Sequence, residues 1–520
     1  MSKEFNVTSK CISSKHYMAD VSAKMTEILK LVEKGHYFII NRPRQYGKTT
    51  TLYELANALR KTGHYVVFNI SFEGLGADTF ESESRFVQGF IRILAQDARH
   101  GAASLRGWLK NAVVGIQDFQ DLSELITDLA DLTSLRLVVL IDEVDQSSNN
   151  EVFIRFLAAL RNKFLKRDEL PTFHSVVLAG VHDVKSLKLK IRPDSEQKYN
   201  SPWNIAADFK VDMNLHPSEI KPMLADYAQE CGVTMDVETM SYGLFYYTSG
   251  YPFLVSRLCK IMDEDLLPLK TTRNWTQKDL EWAVKRLVHE SNTNFETQIK
   301  NLENNPTLHD AVYSVAIDGE SKPFNIHNPT TNLAVLYGLF VNQEGRIAIH
   351  NRIYNEVIVN YMIDKMHDIQ LAKSVDFGGG YRNDDRTLNL EAVLRGFQSF
   401  MKREYNAKER DFLEKNGRLV FLAFLKPIIN GAGYDFKEPQ ISEEKRLDIA
   451  ITYYEHQYIV ELKIWRGQKS HEKGLLQLAN YLESQQLAEG YLMIFDHAKI
   501  KNWATDEITV LNKRIFMVGV

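Results

Sequence analysis

The stretch Tyr37-Phe38-Ile39-Ile40-Asn41-Arg42-Pro43-Arg44-Gln45-Tyr46-Gly47-Lys48-Thr49-Thr50 decides how the chain is read. Its first four residues are apolar without alternation, as in a short strand buried on both faces. A polar loop follows, and a helical pattern runs over residues 49–60. The order strand, loop, helix makes a place for an anion, because the first helical turn offers N–H groups without intrahelical partners and the positive end of the dipole. The residue types suit a phosphate. Gly47 lets the backbone come close, Lys48 neutralises β and γ oxygens, and the Thr49 hydroxyl can ligate Mg2+. The first glycine of the pattern GxxxxGK[ST] would fall at position 42, where Arg42 stands.

Three further apolar runs, residues 65–71, 135–141 and 175–179, alternate with amphipathic segments such as 153–164. Strands apolar on both faces and separated by helices predict a parallel sheet covered on both sides. The run Leu137-Val138-Val139-Leu140-Ile141-Asp142-Glu143 ends in two carboxylates. At the carboxyl end of a central strand, Asp142 can hold hydrated Mg2+ and Glu143 can orient an attacking water. The competing reading makes the pair a helix cap at a solvated edge.

The loop Arg42 to Thr49 resembles the RPRxxGKT loop of the AAA-like, STAND-related ATPases of bacteria and archaea, in which the first glycine is often absent. Val177-Leu178-Ala179-Gly180-Val181 is similar to their sensor-1 strand and its exit. Gly250-Tyr251-Pro252-Phe253-Leu254-Val255 resembles the GxPxLV start of a lid helix, and Ile347 to Tyr354 resembles the end of their winged helix. The resemblance covers roughly residues 15–365. It implies a P-loop ATPase core that binds ATP through Arg44, Gln45, Tyr46, Gly47, Lys48, Thr49, Thr50 and Asp142, with Mg2+ on Thr49 and Asp142 and with Glu143 catalytic. It also implies a nucleotide-driven change of shape. Ser175 and His182 are the candidates for the polar sensor-1 residue. Arg155 and Arg161 follow the carboxylate strand at helical spacing, the pattern of a solvated face, so no arginine finger is assigned.

A second chemical centre lies near the other end. Asp448-Ile449-Ala450-Ile451-Thr452 and Tyr458-Ile459-Val460-Glu461-Leu462-Lys463 read as two strands around a polar turn at Glu455-His456. Side chains alternate along a strand and cross-strand neighbours share a face, so Glu461 and Lys463 point the same way. A loop with an even number of residues puts Asp448 on that face too; an odd loop without a bulge sends it to the other. Two carboxylates held together favour a hard cation, Mg2+ or Mn2+, because like charges otherwise push one pKa upward. Such a metal would activate water and polarise a phosphodiester, with Lys463 orienting the nucleophile. The competing reading is a solvent-facing hairpin with a charged stripe. Gln477 and Tyr481 follow on a predicted helix as i, i+4 partners, and Trp465-Arg466-Gly467-Gln468-Lys469 is basic and aromatic, suited to phosphates and a stacked base.

The spacing D–x12–ExK followed by QxxxY resembles the PD-(D/E)XK nuclease superfamily over about residues 388–520. The resemblance implies a restriction-endonuclease-like α/β domain with Asp448, Glu461 and Lys463 catalytic, Asp448 and Glu461 on the metal, and Gln477 and Tyr481 as support. It also implies an acidic helical residue; Glu414 fits best, with Glu391 as rival. Leu447 stands where the family name has proline.

At 520 residues the chain is too long for one core. The expected order is an ATPase core over 1–200, a helical lid over 201–300, a winged helix over 301–370, a linker over 371–387 around Phe377-Gly378-Gly379-Gly380, and the nuclease-like domain over 388–520. The net charge of −4 confines any nucleic-acid surface to a local patch. Three scattered cysteines argue against a disulfide framework or zinc knuckle. With neither an apolar run of membrane-spanning length nor a secretory pattern, a cytoplasmic protein without a membrane partner is expected. The expectation for function is an ATP-dependent protein coupled to phosphodiester cleavage, with nucleic acid, chiefly DNA, as partner and with a homo-oligomer or a regulatory protein as further partners. The alternative is a STAND-like switch whose C-terminal domain binds nucleic acid or a partner without cutting. Between Asn332 and Tyr361 the only arginines or lysines are Arg346 and Arg352, a thin surface for gripping phosphates.

Overall fold

The computed structural model describes residues 3–100, 103–144, 151–181, 203–317, 320–367, 381–383, 385, 387–404, 410–429, 433–437, 448–453, 456–465, 467–496 and 503–520. For Glu414 and Asp448 the description covers the backbone. The expected Gly-rich linker at Phe377–Gly380, the candidate sensor His182, and Leu447, Glu455 and Arg466 lie outside the described residues. The chain divides into two compact units: residues 1–294 with 332–338, and residues 295–331 with 339–520.

The first unit holds four parallel strands, β1 (Phe38–Asn41), β2 (Tyr65–Ser71), β3 (Arg136–Asp142) and β4 (Ser175–Gly180), in the order β1-β4-β3-β2. All six residues of β4 and six of seven in β3 are buried, as expected for strands covered on both faces. The helices Lys48–Thr62, Glu83–Asp97, Phe119–Asp131 and Glu151–Leu165 lie along the chain between them. One side of the sheet is packed with aromatic rings, among them Phe72, Phe86, Phe90 and Phe156. Beyond β1 a further parallel bridge pairs Phe38 with Ala207. Four helices then follow, Pro217–Cys231, Val237–Thr248, Pro252–Lys260 and Gln277–Val288, each with a buried apolar face.

The second unit begins at Phe295, inside helix Thr293–Glu303, and continues with helix Pro306–Ala316. A two-stranded antiparallel ribbon, β5 (Phe340–Gln343) and β6 (Arg346–Ile349), precedes helix Arg352–His367. The turn at positions 344 and 345 uses the left-handed region, with φ of +51° and +82°, which Gly345 adopts without a Cβ penalty. Helices Leu390–Glu404 and Arg410–Ile429 lead into a mixed sheet of six strands. These are β7 (Gly433–Lys437), β8 (Asp448–Tyr453), β9 (His456–Ile464), β10 (Glu489–Phe495), β11 (Thr505–Val510) and β12 (Lys513–Gly519), in the order β11-β12-β10-β9-β8-β7. β7, β8 and β9 form an antiparallel meander, while β9, β10 and β12 run parallel. Helix Gln468–Ser484 makes the crossover between β9 and β10, as parallel neighbours require. Its Leu475, Leu478, Ala479 and Leu482 pack on Ile459, Leu492 and Ile515. Among the described residues no helix is long and apolar enough to cross a membrane.

Candidate functional site

In the first unit the decisive geometry is at the end of β1. Gly47 sits at the N-cap of helix Lys48–Thr62 with φ +80° and ψ +11°. A Cβ there would meet no atom within 4 Å, so the need for glycine is conformational rather than steric. Gln45, two residues earlier, also has positive φ, +56°. Together they turn the loop so that it enters the helix directly. The Lys48 side chain is buried and folds back over the loop, its Nζ donating to the carbonyls of Arg42 at 3.0 Å and Pro43 at 2.8 Å. Arg42 stands in place of a glycine. Its guanidinium donates to the carbonyls of Asn41 and Val211 and lies 5.4 Å from the ring of Phe209. Burial holds that guanidinium below its ordinary pKa.

Thr49 Oγ1 donates to Asp142 Oδ2 at 2.6 Å, and Asp142 Oδ1 accepts the N–H of Glu143 at 2.9 Å. Asp142 is buried, and Glu143 has the left-handed φ of +53°, uncommon for a residue with a side chain and frequent at functional positions. The hydroxyl and carboxylate are hard oxygen donors that fit Mg2+. When bound, such a cation neutralises phosphate charge; Lys48, the loop N–H groups and the helix start are this chain's own means of doing so.

The other expected loop residues do different work. The Thr50 hydroxyl accepts the N–H of Cys11 at 2.9 Å, tying the N-terminal segment to the helix. Tyr46 is buried and its hydroxyl donates to Asn214 Oδ1. Burial, with Tyr251 close by, pushes that phenol above its ordinary pKa and keeps it a neutral donor. Arg44 and Gln45 are exposed. Ser175, a sensor candidate, donates to His36 O at 2.6 Å from the start of β4. That is the end of the sheet away from Asp142 and the loop, so the hydroxyl fastens the strand start and does not serve as a sensor. The apolar residues after it, Val177 to Ala179, give no polar substitute. Arg155 pairs with Glu83.

Two site contacts were not legible as such in the sequence. Tyr251 donates to Arg44 O at 2.5 Å and packs edge-on against Tyr46, with ring centroids 4.6 Å apart. Gly250 makes this possible: with φ +74°, its Cα stands where an added Cβ would be 2.4 Å from Leu215 O. The GxP pattern at 250–252 was the signal, and its physical content is a close backbone crossing followed by a helix start.

In the second unit, β8 and β9 pair with Asp448 directly opposite Glu461 and Tyr453 opposite His456. The loop between them thus has two residues, the even number that sets Asp448 and Glu461 at the same register position. Glu461 is buried, its side chain 4% exposed, and its Oε1 lies 2.5 Å from Lys463 Nζ. A buried carboxylate without a partner would be strongly unfavourable, and the ammonium removes much of that cost. Helix Gln468–Ser484 covers this face closely: a Cβ on Gly474 would come within 3.3 Å of Lys463 Cε. Gln477 is half-buried and Tyr481 buried on the same helix, one turn apart. Helix Arg410–Ile429 approaches from the side of the strand ends. Gly417 packs so near Phe495 that a Cβ would be 2.6 Å from its ring, and Arg418 donates to Leu462 O at 3.3 Å. Position 414 is one turn before Arg418 on this helix. The rival Glu391 is held elsewhere, accepting from Arg514 Nη2 at 2.6 Å. Arg514 pairs in register with Glu489, three positions before the Leu492 that faces Glu461. Among the described residues no group of three or more His, Cys, Asp or Glu side chains converges as a metal site. The acidic oxygens of positions 448 and 461 are nonetheless of the hard type that fits Mg2+.

No protein-family model and no curated protein matches the chain. Among solved structures, it is similar to the Walker-type ATPase of Pyrococcus abyssi at 12% identity, covering 68% of this chain and 99% of that one, with a TM-score of 0.46. The ORC2 protein of Aeropyrum pernix in its ADPNP–ADP complexes is similar at 13% identity, covering 66% and 93%, with a TM-score of 0.39. The Thermotoga maritima RuvB Holliday junction branch migration motor is similar at 14% identity, covering 66% and 96%, with a TM-score of 0.33.

Proposed function

We propose that the first unit binds and hydrolyses ATP and that the second carries a Mg2+-dependent nuclease site of the PD-(D/E)XK type. For ATP the carrying observation is the Thr49–Asp142 hydrogen bond beside the buried Lys48 ammonium. A hydroxyl from the helix after β1 and a carboxylate from the end of β3 meet at the start of that helix, where phosphate is favoured. In this reading Lys48 leaves the loop carbonyls for the β and γ oxygens, Thr49 and Asp142 hold Mg2+, and Glu143 orients the attacking water. The helices of residues 217–288 act as a lid, whose Tyr251 reports on the loop through Arg44.

For cleavage the carrying observation is the register that sets Asp448 opposite Glu461, with Lys463 on the Glu461 carboxylate. Asp448 and Glu461 would hold the metal, with Glu414 from the helix as a further acidic group; when bound, the cation supplies Lewis acidity toward a phosphodiester. In this reading Lys463 orients the nucleophile, and Gln477 and Tyr481 support the face it lies on. Residues 301–370 serve as a winged helix, a reading supported by the ribbon β5–β6 followed by helix Arg352–His367. DNA is the proposed substrate and a homo-oligomer a proposed state.

The test is a pair of single variants in the full chain. Lys48→Ala should lose ATP binding and hydrolysis, and Lys463→Ala should lose Mg2+-dependent cleavage of DNA while still binding ATP. Cleavage retained by a folded Lys463→Ala protein would reject the nuclease site. Wild-type protein that leaves DNA and RNA intact with Mg2+ or Mn2+, with and without ATP, would leave an ATP-dependent switch.

A further inference from the structure

Glu461, Lys463 and Trp465 occupy alternate positions along one extended segment, so they share a face of the sheet. The ladder continues through Trp465, whose N–H donates to Phe495 O at 2.9 Å. Along that face exposure rises from inside to rim: 4% for the Glu461 side chain, 20% for that of Lys463, and 42% for Trp465. Among the described residues of the second unit, Trp465 is the one aromatic ring in the set of exposed large apolar side chains. Its exposure has a support behind it. His471 lies 5.4 Å from the indole, ring to ring, with the planes 49° apart. His471 is one turn before Gly474, the residue packed on the Lys463 stem, so the helix that covers Lys463 also backs Trp465. Gly467, with φ +99°, makes the sharp turn that brings the helix over the strand end.

We infer that Trp465, backed by His471, stacks an unpaired nucleobase beside the phosphodiester held at Glu461 and Lys463, which makes the substrate a single strand or an unpaired end. The inference rests on the nuclease reading of that centre. Two residue steps of extended chain separate Lys463 from Trp465, about 7 Å, within the reach from a phosphate to a neighbouring base. A base inside a duplex has both faces covered by its neighbours and offers none to an indole. A single strand offers one, and stacking of this kind is indifferent to sequence. A purely structural tryptophan would act as an apolar staple for the helix start, a role that leucine can fill.

The experiment uses full-length protein and a single-stranded oligodeoxynucleotide carrying 2-aminopurine, in EDTA so that no cleavage intervenes. Wild-type protein should quench the fluorophore on binding and should bind the single strand more tightly than a blunt duplex. Trp465→Leu should lose the quenching and bind roughly 5- to 100-fold more weakly, while Trp465→Phe keeps most of both. Thermal melting establishes that both variants are folded. Affinity and quenching unchanged in Trp465→Leu overturn the stacking site, as does wild-type protein that prefers the blunt duplex. The two readings fail separately. If Lys463→Ala abolishes cleavage but Trp465→Leu changes nothing, stacking falls and the nuclease stands. If quenching depends on Trp465 in a protein that cuts nothing with any metal, stacking stands and the nuclease falls.

Discussion

Thr49 and Asp142 are hydrogen-bonded at 2.6 Å although 93 residues separate them in sequence. The strand that leads to the helix of Thr49, β1, is not a neighbour of the Asp142 strand β3, since β4 lies between them. Parallel strands bring their carboxyl ends to one edge, and the loop after β1 arches along that edge to reach the end of β3. The contact is therefore a product of topology, and it sets up the first prediction.

Thr49→Val keeps the shape of the side chain and removes its hydroxyl. Mg2+-dependent ATP affinity should fall by about tenfold or more, the worth of a hydrogen bond to a charged group. Lys48→Ala should lower hydrolysis by about 100-fold or more. Titration calorimetry and phosphate release measure the two. Affinity unchanged in Thr49→Val would remove the hydroxyl from the site.

Gly250→Ala places a Cβ 2.4 Å from Leu215 O at a φ of +74°. Backbone strain of about 1–3 kcal/mol is expected, and the Tyr251 contact to Arg44 should loosen with it. The urea midpoint of the first transition should drop, with weaker ATP binding. A midpoint equal to that of wild type would contradict the close crossing.

Lys463→Met leaves the buried Glu461 carboxylate without its ammonium. Losing one partner of a fully buried pair costs about 3–5 kcal/mol, and the partial exposure of Lys463 lowers that figure. Glu461→Gln should be milder because it removes the buried charge itself. Denaturant unfolding of the two variants should rank them in that order, and saturating Mg2+ should recover stability in Lys463→Met but not in Glu461→Gln. The reverse order would mean that Glu461 is not held as an anion.

Asp212 gives a pH signature. Burial raises its carboxyl, but the N–H of Asn214 and the ring of His216 outweigh burial and hold it below the ordinary value of 3.8. The folded state thus binds the proton less readily than the unfolded state. The stability it contributes is present above the unfolded value and is lost as pH falls through the lower, folded one. Asn214 also receives the Tyr46 hydroxyl, so this carboxylate braces the loop. Thermal melts from pH 6 to pH 2 should show wild type above Asp212→Asn at pH 6, with the gap closing below about pH 4. A gap that does not change with pH would sink the assignment.

Much of the first unit was readable because its signals are local. Continuous apolar runs gave β1 to β4 within a residue of where they stand, and the helix after the loop followed from its period. The hairpin of the second unit was readable for the same reason, down to the dependence of Asp448 on loop parity. Ser175 shows where local signals mislead. A polar residue on the right strand looks like a sensor, yet which end of the strand it occupies decides what it can touch. β7 went unread although Tyr434 and Phe436 alternate with small or polar neighbours, because a run of five residues is too short to stand out and becomes a strand by pairing with β8. The sequence put Glu414 ahead of Glu391 as the acidic helical residue, and Glu391 is held by Arg514.

The amino-acid sequence by itself determined the strands and helices of the ATPase-like core and of the β8–β9 hairpin, and which side chains have the chemistry for phosphate and for a hard cation, because those properties are set within a few residues of each position. Only the tertiary structure decided that Thr49 meets Asp142, that Asp448 stands opposite Glu461 rather than one residue off, and that Arg514 takes Glu391. Those outcomes depend on strand order, register and helix placement, which are fixed by the packing of whole layers and have no local cause.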